Sequence, residues 1–349
     1  FFKEAKASYD RALEINPSNH KARAQRARTL LALNSPEKAI KDLNWLKSQK
    51  YHGDLNFEFG QAQQSLGKLE EAKGYYKKVL DQDREHLDAL RSMGMIMQST
   101  KKNSKAKQYY DEALAVNPRD SETRFAMGKL LLGEKENKKA IEQFRIASEV
   151  KQQDPKLHYW YGRALEANGG QKESATLRSA YESAAMLIKQ GEQTSPELCD
   201  IHFRVGVIHS QQPKELSLAL DDFTKATQCA PKRPDVWSHL AEIYKKIGDQ
   251  ESVMKHYRTA LKNNPKHIPA LIGTAREYLN QTPPRVKSAK RALDRILKSN
   301  KRHPEAYYRY CTLYQPTSRR KAKKYCRRYL KLEPKGEFAE SAREIVRSL

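Results

Sequence analysis

The sequence predicts an all-α solenoid of about nine stacked helix–turn–helix repeats, with a partial unit at the start and a capping helix at the end. Three observations predict it. Apolar residues recur at helical rather than strand spacing, turn residues interrupt them at regular intervals, and the interval is constant. Pro231 lies 34 residues before Pro265, and the stretch between them reads as two short amphipathic helices. Composition agrees: 38% of residues are apolar and 31% charged, which suits many thin helices rather than one thick core.

The clearest unit is Asp235 to Pro265. Trp237, Leu240, Ala241 and Tyr244 fall at i, i+3, i+4 and i+7 on one helix face, and Val253, Tyr257, Ala260 and Leu261 form a second stripe. Gly248 can adopt the left-handed conformation that ends a helix, Asp249 can cap the next, and Pro265 stops the pair. This spacing resembles the tetratricopeptide repeat, with Val253 where that family usually has alanine. The resemblance implies a right-handed superhelix of antiparallel helix pairs and a binding role. It also implies a concave groove lined by the first helix of each unit, chiefly through positions 2, 5, 9, 12 and 13.

With Trp237 as position 4, the other units fall into register. Ala5, Tyr9, Ala12 and Pro17 match the second helix and stop of a unit whose first helix is absent, so upstream sequence is expected. Four repeats follow from about His20, Gly53, Leu87 and Ser121, carrying Ala27, Gly60, Gly94 and Gly128 at position 8. The fifth has Tyr161, Gly162 and Leu165 in its first helix, but the spacing stretches by about three residues after Gly169-Gly170. The segment Gly191 to Pro196 reads as a loop, so the expected division is 1–190 (the half repeat and repeats one to five) and 191–349 (repeats six to nine and the cap). Repeats six to nine carry Gly206, Ala241, Ala275 and Cys311 at position 8, and Phe338, Ala342, Ile345 and Leu349 form the last stripe.

The logic of the array is physical. A single helix pair is too thin to bury its own stripe, so neighbours must stack. Small residues at position 8 permit close approach, and an aromatic near position 24 fills the gap. These residues hold the fold and are assigned no function.

Charge is concentrated. The chain carries a formal net charge of +24, of which residues 285–331 supply 17 basic and 2 acidic side chains, net +15. Such a block points to nucleic acid, an acidic protein or an anionic surface. Arg291, Arg295, Arg319, Arg320, Lys323, Lys324, Arg327 and Arg328 are its candidate contact residues, with Tyr325 and Tyr329 interleaved. Four cysteines are too few and scattered for a disulfide framework, and Cys311 and Cys326 fall at packing positions of one repeat. Small buried thiols, a reducing compartment and a cytoplasmic location are therefore expected. No apolar run approaches the roughly 18 residues of a membrane helix.

No nucleophile elbow, phosphate loop, dinucleotide fingerprint or zinc-protease motif occurs, and His202 and His209 stand two turns apart without a third ligand. No enzymatic activity, metal or cofactor is expected. The repeat register locates the binding groove instead. Position 5 supplies Phe57, Arg91, Phe125, Tyr159, Phe203 and Tyr308, and position 9 supplies Arg28, Lys129, Arg163 and Arg276. Exposed rings beside cations suit an acidic, partly apolar peptide. The carboxylate-gripping set of some tetratricopeptide co-chaperones is absent, since position 5 is nowhere lysine. The expectation is a non-enzymatic protein-interaction adaptor with a peptide groove and a basic second contact; the alternative is an RNA- or polyanion-binding protein acting through repeats eight and nine.

Overall fold

A computed structural model describes residues 1–169, 175–188 and 196–348. Among them the chain is all-helical, with twenty α-helices and no strand. It divides into two compact units, Phe1–Gly170 and Gln171–Leu349. The expected boundary between residues 190 and 191 and the loop from Gly191 lie outside the described residues. So do the lengthened spacing after Gly169 and Leu349 of the last stripe.

The first unit opens with α1 (Phe2–Ile15), then stacks α2 (His20–Ala32) with α3 (Pro36–Ser48) and α4 (Asn56–Ser65) with α5 (Leu69–Gln82). It continues with α6 (Leu87–Ser99) and α7 (Asn103–Val116), α8 (Ser121–Gly133) and α9 (Asn137–Val150), and closes on α10 (Pro155–Ala167). The second unit runs from α11 (Ala175–Leu187) through α12 (Pro196–His209) with α13 (Leu216–Cys229), and α14 (Pro234–Ile247) with α15 (Gln250–Asn263). It ends with α16 (Ile268–Leu279) and α17 (Val286–Ser299), α18 (Pro304–Tyr314) and α19 (Arg319–Leu332), and α20 (Ala339–Ser348). Within each unit, helices adjacent in sequence are adjacent in space.

One joint recurs from pair to pair. A side chain at Gly60, Gly94 or Gly128 would place its Cβ 2.5, 2.4 or 2.8 Å from the ring of Tyr76, Tyr110 or Phe144, each fully buried. The glycine makes room for the aromatic of its own repeat's second helix, as the spacing predicts. The tyrosines are further fixed by their hydroxyls, Tyr76 donating to Gln64 at 2.7 Å and Tyr110 to Gln98 at 2.8 Å. Burial raises the Tyr76 hydroxyl to about 12, so it stays a donor throughout the ordinary pH range.

The turn between the two helices of a repeat has its own rule. Asn34, Gly67, Lys101, Lys135, Gly169 and Gly248, all at position 15, have positive φ of 53, 75, 59, 64, 78 and 94°. The chain must reverse there within a residue or two, and glycine meets that demand without steric penalty. Asp249 then caps α15 by accepting from the Ser252 N–H at 3.1 Å, as expected. A different glycine is dispensable. Gly74 is exposed inside α5, and nothing lies within 4 Å of where its Cβ would be. Gly74→Ala is therefore expected to stabilise the first unit by about 0.5–1 kcal/mol, read as a raised urea midpoint at unchanged slope.

The cysteines correct the sequence reading. Cys199 pairs with Cys229 and Cys311 with Cys326, at Cα separations of 5.5 and 5.1 Å, within the disulfide range. Each bond joins the two helices of one repeat. The packing positions that suggested buried thiols are the positions that bring the sulfurs together.

Candidate interaction surfaces

In the first unit the groove candidates lie on the first helix of each repeat, α2, α4, α6, α8 and α10. A cavity of about 440 Å³ is lined by Arg91, Met95, Gln98 and Ser99 of α6 and by Glu122, Phe125, Ala126 and Lys129 of α8. Met95 sits at position 9 and is 45% exposed, a large apolar side chain facing water in the middle of a first helix. Phe125 is half-buried, edge-on to Phe144 and Trp160 at centroid distances of 5.9 and 6.4 Å. Lys129 is exposed and rests over the same rings, 5.6 Å from Phe125 and 4.8 Å from Trp160. Among the described residues its ammonium has no carboxylate partner.

The arginines are placed differently from expectation. Arg91 is largely buried and surrounded by carboxylates: Asp88 at 2.5 Å, Asp120 at 3.0 Å and Glu122 at 3.0 Å. Burial alone would raise the Asp120 carboxyl, but hydrogen bonds from Thr123 and the Arg91 guanidinium hold it below the usual carboxylate range. Arg28 projects toward solvent yet binds the buried Glu58 of the next repeat at 2.6 Å. In the second unit, Arg276 binds Glu242 at 2.6 Å and Glu277 at 3.3 Å, and donates to the Tyr257 hydroxyl at 3.0 Å. These three act as clamps between or within repeats rather than as unpaired groove cations.

The expected aromatics divide in the same way. Tyr159 and Tyr308, expected in the groove, are buried, with exposures of 3% and 9%. Tyr159 accepts a hydrogen bond from Arg163 at 2.8 Å, and Arg163 also lies 3.9 Å from Glu166. Tyr308 stacks on Phe338 with centroids 4.3 Å apart and planes within 7°, which ties α18 to the segment entering α20. Phe57 and Phe203 are half-buried; Phe57 packs against Tyr76 and His86, and Phe203 lies under Arg233 at 4.2 Å. The repeat register already places Met95 at groove position 9, but the candidates selected from that position were the cations, and the exposed apolar side chain was passed over.

The basic candidates form a surface on the last two helix pairs. α19 carries eight lysines and arginines and no acidic residue. Arg319, Arg320, Lys324, Arg327 and Arg328 are exposed and Lys323 is half-buried; among the described residues none of them is ion-paired. On the same helix Ala322, Cys326 and Tyr329 are fully buried, and Tyr325, Leu330 and Leu332 are half-buried. On α17, Arg291 is exposed without an ion pair, whereas Arg295 donates to the Pro265 carbonyl. Asp294 offsets part of the α17 charge, bound to Lys290 at 2.7 Å and accepting from the Tyr310 hydroxyl.

A tyrosine cluster joins these helices. Tyr325 of α19 stacks on Tyr310 and Tyr314 of α18 at 4.8 and 5.6 Å, with planes within 18° and 9°. Lys321 lies 4.9 Å over Tyr314 and Arg328 lies 5.3 Å over Tyr307. The rings face each other, so they orient the cations rather than offer open faces of their own.

The two histidines noted in the sequence are structural. His209 is buried, with Nδ1 2.8 Å from Asp222, and His202 lies 3.5 Å from the same carboxylate. Among the described residues no cluster of three or more metal-ligating side chains occurs, and no helix is long and apolar enough to cross a membrane.

The tetratricopeptide repeat model matches residues 53–86 and 234–267. No curated protein matches the chain significantly. Among solved structures, the chain is similar to the APC/C hetero-tetramer Cut9-Hcn1 with 16% identity and a TM-score of 0.53, over 95% of this chain and 63% of that one. It is also similar to YrrB, described as a tetratricopeptide protein with an unusual peptide-binding site, with 19% identity and a TM-score of 0.48 over 56% of this chain and 95% of that one. A human IFIT1 dimer with m7Gppp-AAAA matches with 14% identity and a TM-score of 0.46 over 98% of this chain and 84% of that one. At these identities the likeness is one of fold. With the repeat's signature met in two segments and the same helix-pair joint recurring around them, the chain is a tetratricopeptide-repeat protein.

Proposed function

We propose that the chain is a non-enzymatic interaction scaffold. Its first unit takes an extended partner segment between α6 and α8, and its basic C-terminal surface makes a second contact. The observation that carries the groove reading is the cavity around Met95. An exposed thioether, the half-buried Phe125 ring and Ala126 form an apolar floor, and the unpaired Lys129 ammonium stands at its edge. That combination accepts one apolar side chain followed by an acidic residue. Methionine adapts to ligand shape, and the ring supplies contact area at little entropic cost. Arg91 lines the cavity but, like Arg276 in the second unit, is clamped and supplies no free charge. Their charges are already satisfied, and a ligand carboxylate would have to displace a neighbour's.

The test is a peptide-display selection against the purified chain, followed by anisotropy on the selected peptides. Peptides with an apolar anchor beside Asp or Glu are expected. Met95→Glu and Lys129→Glu should each weaken them about tenfold or more, equivalent to about 1.4 kcal/mol, with the circular dichroism spectrum unchanged. Selected peptides that lack both features, or that bind both variants as tightly as the wild type, would sink the groove reading.

A further inference from the structure

We infer that the basic surface of α17 and α19 is a nucleic-acid site that holds a strand by its phosphates. This rests on the proposal that the surface is a contact area and specifies what it contacts. Arg320, Lys324, Arg327 and Lys331 follow one another at steps of four, three and four residues, and all four are exposed. Such steps keep them on one helix face, with successive side chains rooted roughly 5–6 Å apart. A row of unpaired cations at short, even intervals matches a polymer that repeats a single anion along its length. Side-chain charges on an acidic protein surface come in mixed spacing and sign, whereas a phosphodiester strand offers a continuous row of anions. Arginine forks also suit phosphate oxygens, each able to give two parallel hydrogen bonds.

The surroundings support this occupant over a membrane. An interfacial helix inserts an apolar face beside its cations. On α19, Ala322, Cys326 and Tyr329 are fully buried, and the half-buried Tyr325, Leu330 and Leu332 pack against the same core, so the helix has no exposed apolar face to insert. The neighbouring surface extends the basic track. Arg291 and Lys287 lie exposed on α17, and Tyr310 joins α17 to α18 through its bond to Asp294. Lys321 and Arg328, held over Tyr314 and Tyr307, lose part of their rotamer freedom before any ligand arrives. Because the tyrosines are stacked on each other, base stacking contributes little. Recognition is therefore expected to be indifferent to sequence.

The experiment is fluorescence anisotropy of the full chain with labelled mixed-sequence RNA and DNA single strands and a DNA duplex, across a salt series. Binding is expected to weaken steeply with salt. The triple variant Arg320→Glu, Lys324→Glu, Arg327→Glu should lose roughly a hundredfold in affinity and flatten the single-strand log–log salt slope by about 2. All three residues are exposed, so the variant's helical spectrum should match the wild type. Met95→Glu should bind the oligonucleotides normally, which separates failure of this inference from failure of the groove reading. Preference among the three probes identifies the nucleic acid. Wild-type affinity in the triple variant overturns the inference. So does equal binding, at matched charge, to polyglutamate or to phosphatidylserine vesicles.

Discussion

Tyr257→Ala is expected to destabilise the second unit by about 3–5 kcal/mol, seen as a lowered urea midpoint. The ring is fully buried and reaches across the joint between repeats seven and eight, where a side chain at Gly273 would lie 2.1 Å from its Cζ. Its hydroxyl donates to Glu242 and accepts from Arg276. Tyr257→Phe separates the two contributions, keeping the ring and losing only the hydroxyl's bonds, for about 1 kcal/mol. The phenylalanine variant also carries a pH signature. Burial pushes the Glu242 carboxyl up, but the Tyr257 hydroxyl and Arg276 together hold it below the usual carboxylate range. A depressed acid stabilises the fold above its unfolded value of about 4.3, and that stability disappears as pH falls through the lower folded value. The gap between wild type and Tyr257→Phe should therefore narrow as pH drops below about 4. A gap that stays constant to pH 2 would show that Glu242 is not coupled to the hydroxyl.

Gly94→Ala should destabilise the first unit by about 1–3 kcal/mol, although alanine is the better helix former by about 1 kcal/mol. The new Cβ would lie 2.4 and 2.6 Å from two carbons of the Tyr110 ring, which is buried and held by its hydroxyl bond to Gln98. In a Tyr110→Ala background the obstacle is gone, and the same substitution should become stabilising. A double-mutant cycle by urea unfolding checks the change of sign. Additive effects would mean that the ring yields easily and that the joint is looser than its distances suggest.

The fold was readable because its contacts are periodic. Gly60, Gly94 and Gly128 recur with Tyr76, Tyr110 and Phe144 at a fixed offset, and one clear unit sets the ruler for the others. The left-handed residue at position 15 was read at Gly248; Gly67 and Gly169 carry the same glycine signal, whereas Lys101 and Lys135 adopt the conformation against their preference. The site was less readable, for a definite reason. Position identifies the helix face a side chain leaves from, but not what the next repeat sends to meet it. Arg28 meets Glu58 and Arg91 meets Asp120, about thirty residues along the chain, so both were taken for groove cations. Opposite charges separated by nearly one period were the overlooked signal. Tyr159 and Tyr308 were lost in the same way, because a ring at position 5 can turn into its neighbour as easily as into the groove. The basic face of α19 was legible because no acidic residue lies within that helix, whereas on α17 Asp294 offsets Lys290.

The Gly-aromatic joint also has a genetic consequence. From Gly53 to Asp120 the chain repeats at 34 residues with no insertion, and the joints at Gly60, Gly94 and Gly128 are the same joint built three times. A segment one period long is a cassette: removed or duplicated in frame, it is expected to leave the joint inside each remaining helix pair intact. Unequal recombination within this stretch would change the length of the array, and so the number of groove positions, without requiring a compensating change in the core.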